Sequence, residues 1–167
     1  MKRFSTKQVA FCGLIAALYV IFTWILGDFA YGPIQFRIAE CMTVLPFFYP
    51  ISTIGLTLGC FLANLLSTAG PMDLLFGTVA TLLGALGTQL CRKKNLWFLA
   101  PLPPVLSNAL LIGLMLTLYG GNLSFGYFLT MAAQVGISEA ICCFLLGGGL
   151  IFLLRRHQNN NERGIDL

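Results

Sequence analysis

The chain has 167 residues, of which 57% are hydrophobic and only 10% charged, against about 25% charged in a soluble domain. Six membrane spans of about 20 residues would use roughly 120 of them, which excludes room for a soluble enzyme or a built-in ATPase unit. Ten Lys and Arg against six Asp and Glu give a formal net charge of +4, but the basic residues stand in clusters separated by long apolar stretches. That pattern excludes the continuous basic face that nucleic acid requires.

The first apolar segment covers residues 8–27 behind Lys2, Arg3 and Lys7. Lacking a clear cleavage site, it reads as a retained span and not as a signal peptide. Gly32-Pro33 marks a loop over 28–35, because that pair breaks a helix. Segment two, 36–50, is short for a span, carries Arg37 and Glu40 in its first turn and stops at Pro50. Segment three covers 51–66 and gives way to a loop at 67–72. Segment four starts at Asp73, a residue type suited to capping a helix, and ends at Cys91 before Arg92-Lys93-Lys94-Asn95. Segment five, 97–119, has its first turns disturbed by Pro101, Pro103 and Pro104, and Gly120-Gly121-Asn122 closes it. Segment six, 125–154, is longer than a perpendicular span needs and is expected to tilt. Residues 1–157 therefore read as a single all-α domain of six membrane helices, and 158–167 as a polar, disordered tail.

An even number of spans puts both termini and the four-to-five connection on one side. The three basic clusters, at 2–7, at 92–94 and at Arg155-Arg156, fall on that side, while the loops 28–35, 67–72 and 120–124 contain no Lys or Arg. Basic loops stay in the cytoplasm, so both termini are expected there. Tyr31, Tyr119 and Tyr127 then fall near the outer interface and Trp97 near the inner one, as aromatic belts require. Cys12, Cys41, Cys60, Cys91, Cys142 and Cys143 form no CxxC pair, and the one histidine is His157. They read as small packing residues, with neither a metal site nor a disulfide framework.

A charge inside a span costs about 2.5–3.5 kcal/mol even on insertion scales, so Arg37, Glu40, Asp73 and Glu139 need partners. Arg37 and Glu40, three apart on one helix face, can neutralise each other. Glu139 lies about 14 residues into segment six, roughly 20 Å along a helix; its partner must come from another helix, a proton or a ligand. The amides Asn64, Asn108 and Gln134 either bond across helices or join the carboxylates in a polar pocket opening outward. Gln134 and Glu139 differ by about 140° around the helix, so only a broad face can present both. Small residues recur at four-residue spacing, as in Gly13 and Ala17, Gly55, Gly59 and Ala63, and Ala132, Gly136 and Ala140. Such spacing permits close helix approach.

The stretch Tyr31-Gly-Pro-Ile-Gln-Phe-Arg-Ile-Ala-Glu-Cys-Met-Thr-Val-Leu-Pro46, with Gly55-Leu-Thr-Leu-Gly-Cys-Phe-Leu-Ala-Asn64 and Asp73-Leu-Leu-Phe-Gly-Thr-Val-Ala-Thr81, closely resembles the QueT-type queuosine-precursor transporter family. The likeness runs over most of residues 7–155, and its core is Gln35-Phe-Arg-Ile-Ala-Glu40 with Leu45-Pro46 following. The resemblance implies an S component of an energy-coupling factor transporter: a six-helix protein of a bacterial plasma membrane that captures a micronutrient outside the cell. It implies as partners a transmembrane coupling subunit and two separate ATPases, with no catalytic residue, cofactor or metal in this chain. The absence of a Walker-type phosphate loop agrees with borrowed ATPases. Docking on the coupling subunit, which in this class uses an Ala-x-x-x-Ala pattern on the first helix, would fall to Gly13 and Ala17. The implied ligand is a 7-deazaguanine, as nitrile precursor, aminomethyl precursor or mature base. Glu139 or Glu40 would accept its N–H groups, Asn64, Asn108 or Gln134 would meet its carbonyl and ring nitrogens, and Phe36, Tyr31 or Phe76 would stack on the ring. Asp73, as a second carboxylate, would suit the cation of the aminomethyl form, Arg37 would belong to the same outward-opening pocket, and the loop from Asp28 to Gln35 would close over the ligand.

Other readings stay open on the residues alone. A different vitamin or nucleobase would suit the same kind of S component. A stand-alone secondary transporter would use Glu139 as a proton relay. An intramembrane enzyme would need a nucleophile beside an acid/base pair, whereas the carboxylates here are scattered.

Overall fold

The computed structural model describes residues 4–31, 35–65, 67 and 70–163, with residues 28 and 159–163 described by their backbone alone. Lys2 and Arg3, the Gly32-Pro33 break and residues 164–167 of the expected tail lie outside the described residues, as does the middle of the expected lid.

The described residues are helical and contain no strand. Helix α1 (Thr6–Leu26) opens with a reciprocal cap in which Ser5 and Gln8 satisfy each other's backbone N–H groups, and it ends at Gly27 with φ +49°. One helical turn, α2 (Asp28–Tyr31), follows. Segment two is a 3-10 helix, Ile38–Phe47, with Pro46 inside it. Next come α3 (Ser52–Asn64) and α4 (Pro71–Lys93), the latter with Arg92 and Lys93 in its last turn, where cations complement the helix dipole. A short 3-10 turn, Trp97–Leu99, leads into α5 (Leu102–Tyr119), whose prolines sit in the first turn, where a missing N–H costs little. Helix α6 (Phe125–Ala140) passes through a π-helical stretch, Ile141–Leu146, into α7 (Gly147–Arg163). Residues 158–163, expected as tail, are thus helical backbone.

Thr6–Leu26, Pro71–Lys93, Trp97–Tyr119 and Phe125–Gln158 are each long and apolar enough to cross a membrane, and Ile38–Phe47 and Ser52–Asn64 are shorter apolar helices. Their outer faces carry large exposed apolar side chains such as Ile25, Leu83, Leu110 and Leu145, the reverse of a soluble helix, whose outward face is polar.

Helix packing follows the small residues. A Cβ on Gly59 would meet Tyr19 Cβ at 2.8 Å and the Ala16 backbone at 3.0 Å, and one on Gly55 would meet Cys12 O at 2.6 Å; these two glycines let α3 lie against α1. Gly84 faces Pro104 in the same way and joins α4 to α5, and Gly113 faces Ala132 and joins α5 to α6. The 3-10 helix runs through the middle, packed by α1, α3, α4 and α7. Ala39 and Met42 join the cluster around Tyr19 and Leu56, while Val44, Phe47 and Phe48 pack on Ile151. Its central position matters because it carries Glu40. All six cysteines are free thiols.

Candidate functional site

Six elements deliver polar side chains to one buried network. At one end Arg37, extended just before the 3-10 helix, turns its guanidinium inward. Nη2 donates to both Asp73 carboxylate oxygens at 2.9 Å, and Nε donates to Ala30 O at 3.1 Å. Ser67 Oγ donates to Asp73 Oδ2 at 2.5 Å. The expected local pairing of Arg37 with Glu40 is not made: the 3-10 helix starts only at Ile38, so the two residues never share an α-helical face. Nor does Asp73 cap α4. The helix begins at Pro71, Gly70 is its cap residue, and the Asp73 carboxylate is taken up by Arg37 and Ser67.

Asn64, at the end of α3, donates Nδ2 to Asp73 O at 3.1 Å and to Cys60 Sγ at 3.4 Å. Thr81 Oγ1 lies 3.2 Å from Cys60 Sγ and 3.2 Å from Glu40 Oε1. The Tyr19 hydroxyl of α1 also donates to Glu40 Oε1. On the far side Cys143 Sγ lies 3.5 Å from Glu40 O and 3.6 Å from Glu139 Oε2, so one thiol links the two glutamates. The chain of polar contacts therefore runs unbroken from Ala30 to Glu139.

Burial makes the unmet hydrogen bonds of this network informative, since an unpaired buried polar atom costs about 1–3 kcal/mol. Glu40 is 0% exposed and its Oε2 accepts nothing; Asn64 Oδ1 and Asn108 Nδ2 are likewise unpaired, and Gln35 is unpaired at both amide atoms. Asn108 stands beside Glu40 without closing a hydrogen bond through Nδ2. Gln35 holds φ +51°, a left-handed conformation that side chains other than glycine avoid and that clusters at binding sites. Donors and acceptors thus remain open on the 3-10 helix, α3 and α5 and at Gln35.

Of the residues expected at the site, Arg37, Glu40, Asn64, Asp73, Asn108 and Glu139 are all buried. Tyr31 is also buried, but its hydroxyl donates to Ala63 O at 2.6 Å and Arg37 lies 5.7 Å from its ring centroid, so one ring face is covered. Burial raises the Tyr31 phenol's pKa, keeping it a neutral donor. Phe76 packs with Ile112, Met115 and Val135 between α4 and its neighbours. Gln134 is half-buried at the edge of an α6 face formed by Val135, Ser138 and Glu139, and Phe36 is half-buried beside Arg37. Gly13 and Ala17 are exposed on the outer face of α1, and a Cβ on Gly13 would meet nothing within 4 Å.

Sequence reasoning did not select Gln35, Tyr19, Thr81, Cys60 or Cys143. Gln35 had a signal, as the first residue of the Gln35-Phe-Arg-Ile-Ala-Glu40 motif. Tyr19 and Cys143 had none, because each sits in an apolar run and meets Glu40 across 21 and 103 residues of chain.

The family model described as QueT transporter matches residues 9–156. A protein of Lactococcus lactis subsp. cremoris named "Queuosine precursor transporter QueT" is 38% identical over 103 residues, covering 58% of this chain and 60% of that relative. The chain thus spans less than two thirds of that relative's length in the match. No solved structure matches this chain.

Proposed function

The chain belongs to the QueT transporter family, and from that premise we propose that it is the substrate-binding S component of an energy-coupling factor importer that takes up a 7-deazaguanine precursor of queuosine. In this reading the chain crosses a bacterial plasma membrane six times, both termini are cytoplasmic, and it catalyses no reaction. ATP hydrolysis occurs in two partner ATPases, and Gly13 and Ala17 form part of the face that meets the coupling subunit.

The observation that supports the ligand assignment is the set of open hydrogen-bonding atoms on buried residues of this network, Glu40 Oε2, Asn64 Oδ1 and Asn108 Nδ2, together with the Gln35 amide. A deazaguanine presents adjacent N–H donors and a carbonyl. Glu40 Oε2 accepts the N–H groups, and such charge-assisted bonds are the strong ones. Asn108 Nδ2 donates to the carbonyl, Asn64 Oδ1 and Gln35 take the remaining ring positions, Gln134 borders the site, and Phe36 supplies the stacking surface. Tyr31 and Phe76 act as walls, since their rings are engaged by Arg37 and by the α5–α6 cluster. Asp73 is already neutralised by Arg37, which leaves Glu139 and Glu40 as the carboxylates for an ammonium group. A ligand carrying one positive charge, the aminomethyl form, neutralises one carboxylate of that pair.

Titration of the detergent-purified protein with the aminomethyl and nitrile precursors, the mature base, guanine and riboflavin tests this. The aminomethyl form is expected to bind tightest. Glu40→Gln should weaken binding of every deazaguanine by about tenfold or more, the order of a charged hydrogen bond. Glu139→Gln should weaken the aminomethyl form selectively. Unchanged affinity in both variants, or preference for riboflavin, would sink the assignment.

A further inference from the structure

We propose that the end of the bundle formed by the 92–95 connection and α7 holds one anionic diacyl phospholipid, with its phosphate between Arg92 and Arg155 and its chains along Trp97 and Phe152. A cavity of about 380 Å³ opens there, lined by Phe47, Phe48, Arg92, Asn95, Arg155 and Gln158. Its floor is the edge-on pair Phe47–Phe48, ring centroids 5.2 Å apart, and its walls are two guanidiniums and two amides. Among the described side chains these cations have no counter-charge near them. The carboxylates whose side chains are described, Glu40, Asp73 and Glu139, are all buried in the polar network, and Arg37–Asp73 is the only ion pair among the described residues. Lys93, Lys94 and Arg156 stand exposed alongside. A concave site with uncompensated positive charge concentrates anions, and paired guanidiniums favour phosphate oxygens.

The basic cavity continues into apolar grooves. The Arg155 guanidinium lies 4.6 Å over the Trp97 ring, and on the other side of that contact are grooves of about 350 and 200 Å³. Trp97, Phe98, Phe144, Ile151 and Phe152 line them, and Gly148, where a Cβ would meet nothing within 4 Å, leaves them open. Phe98 and Phe152 are 54% and 67% exposed. A free phosphate or an acidic protein segment would use the basic cavity and leave the grooves bare. A phospholipid fills both, and the grooves belong to helices long and apolar enough to lie among acyl chains. Basic pockets between membrane helices recognise anionic headgroups in this way.

The chain has two tryptophans, so Trp24→Phe leaves Trp97 as the only one. This variant, in mixed micelles, is titrated with phosphatidylglycerol or phosphatidylcholine carrying dibrominated chains that quench tryptophan fluorescence. Half-maximal quenching is expected at about tenfold lower mole fraction for phosphatidylglycerol. Arg92→Gln with Arg155→Gln should erase the difference, and Lys93→Gln with Lys94→Gln should preserve it. Arg92→Gln alone, at an exposed position that leaves the Arg155–Trp97 contact in place, should reduce the preference to about threefold, which keeps the test independent of folding in the double variant. Equal quenching by the two lipids, or a full preference in the arginine variants, overturns the proposal. Displacement of phosphatidylglycerol by millimolar glycerol phosphate also overturns it, by showing that a small anion suffices.

Discussion

Asp73 and Glu40 are both buried carboxylates in the same network, yet their chemistry differs because their acceptor atoms are differently filled. Both Asp73 oxygens are taken, by Arg37 and Ser67, whereas Glu40 keeps Oε2 open. In the proposed function Asp73 is therefore the positioning residue and Glu40 the ligand-facing one. Removing one member of a buried ion pair leaves the other charged and unpaired, which costs about 3–5 kcal/mol. Asp73→Ala should accordingly lower the thermal unfolding midpoint in detergent sharply, while the combined Arg37→Met and Asp73→Leu change should recover most of that loss. Equal destabilisation by the single and double changes would show that the pair is not acting as a unit. The apolar setting of Arg37 made a partner obligatory from sequence alone. Its identity was not legible, because the nearest acid in sequence, Glu40, lies three residues away and the actual one 36.

At the scale of elements, two departures from α-helix flank the site. The 3-10 helix Ile38–Phe47 rises more steeply than an α-helix, about 2.0 Å per residue, and lets ten residues reach well into the bundle with Glu40 near the start. The π-helical stretch Ile141–Leu146 begins two residues after Glu139 and brings Cys143 back beneath both glutamates; π segments recur at functional sites. Hydropathy places both segments but cannot distinguish these windings. Glycines separate into two kinds on the same basis of contact. Gly59→Leu should wedge α3 off α1 and destabilise the fold by about 1–3 kcal/mol or more. Gly13→Leu with Ala17→Leu, on an exposed face, should leave unfolding and deazaguanine binding unchanged and abolish co-purification with the coupling module. Retained co-purification would remove α1 from the docking face.

Among the described side chains of the whole molecule, charge is separated: Glu40, Asp73 and Glu139 are buried with Arg37, the other basic residues are exposed or half-exposed towards the chain ends and the 92–95 connection, and apolar surface lies between. Single cysteines introduced into a cysteine-free chain at Asn95 and Ser124 test the proposed orientation, with the 92–95 connection in the cytoplasm. Asn95→Cys should react with a membrane-impermeant maleimide only after the cell is opened, and Ser124→Cys in intact cells; the opposite result would invert the topology. The composition determined by itself that the chain is helical and apolar enough for a membrane, and the motif around Gln35 and Glu40 determined the family, because hydropathy and motifs are local properties of the chain. Sequence also selected the four buried charged residues, Arg37, Glu40, Asp73 and Glu139, with the amides Asn64 and Asn108, since such a group in an apolar run is costly wherever it lies; the buried Ser and Thr hydroxyls and Gln35 were passed over. Only the tertiary structure decided which of them meet: Arg37 with Asp73, Glu40 with Tyr19 and Thr81, Glu139 with Cys143. Those pairings depend on how glycine-lined helix faces bring distant segments within hydrogen-bonding distance, and no periodicity along the chain encodes a contact between two helices.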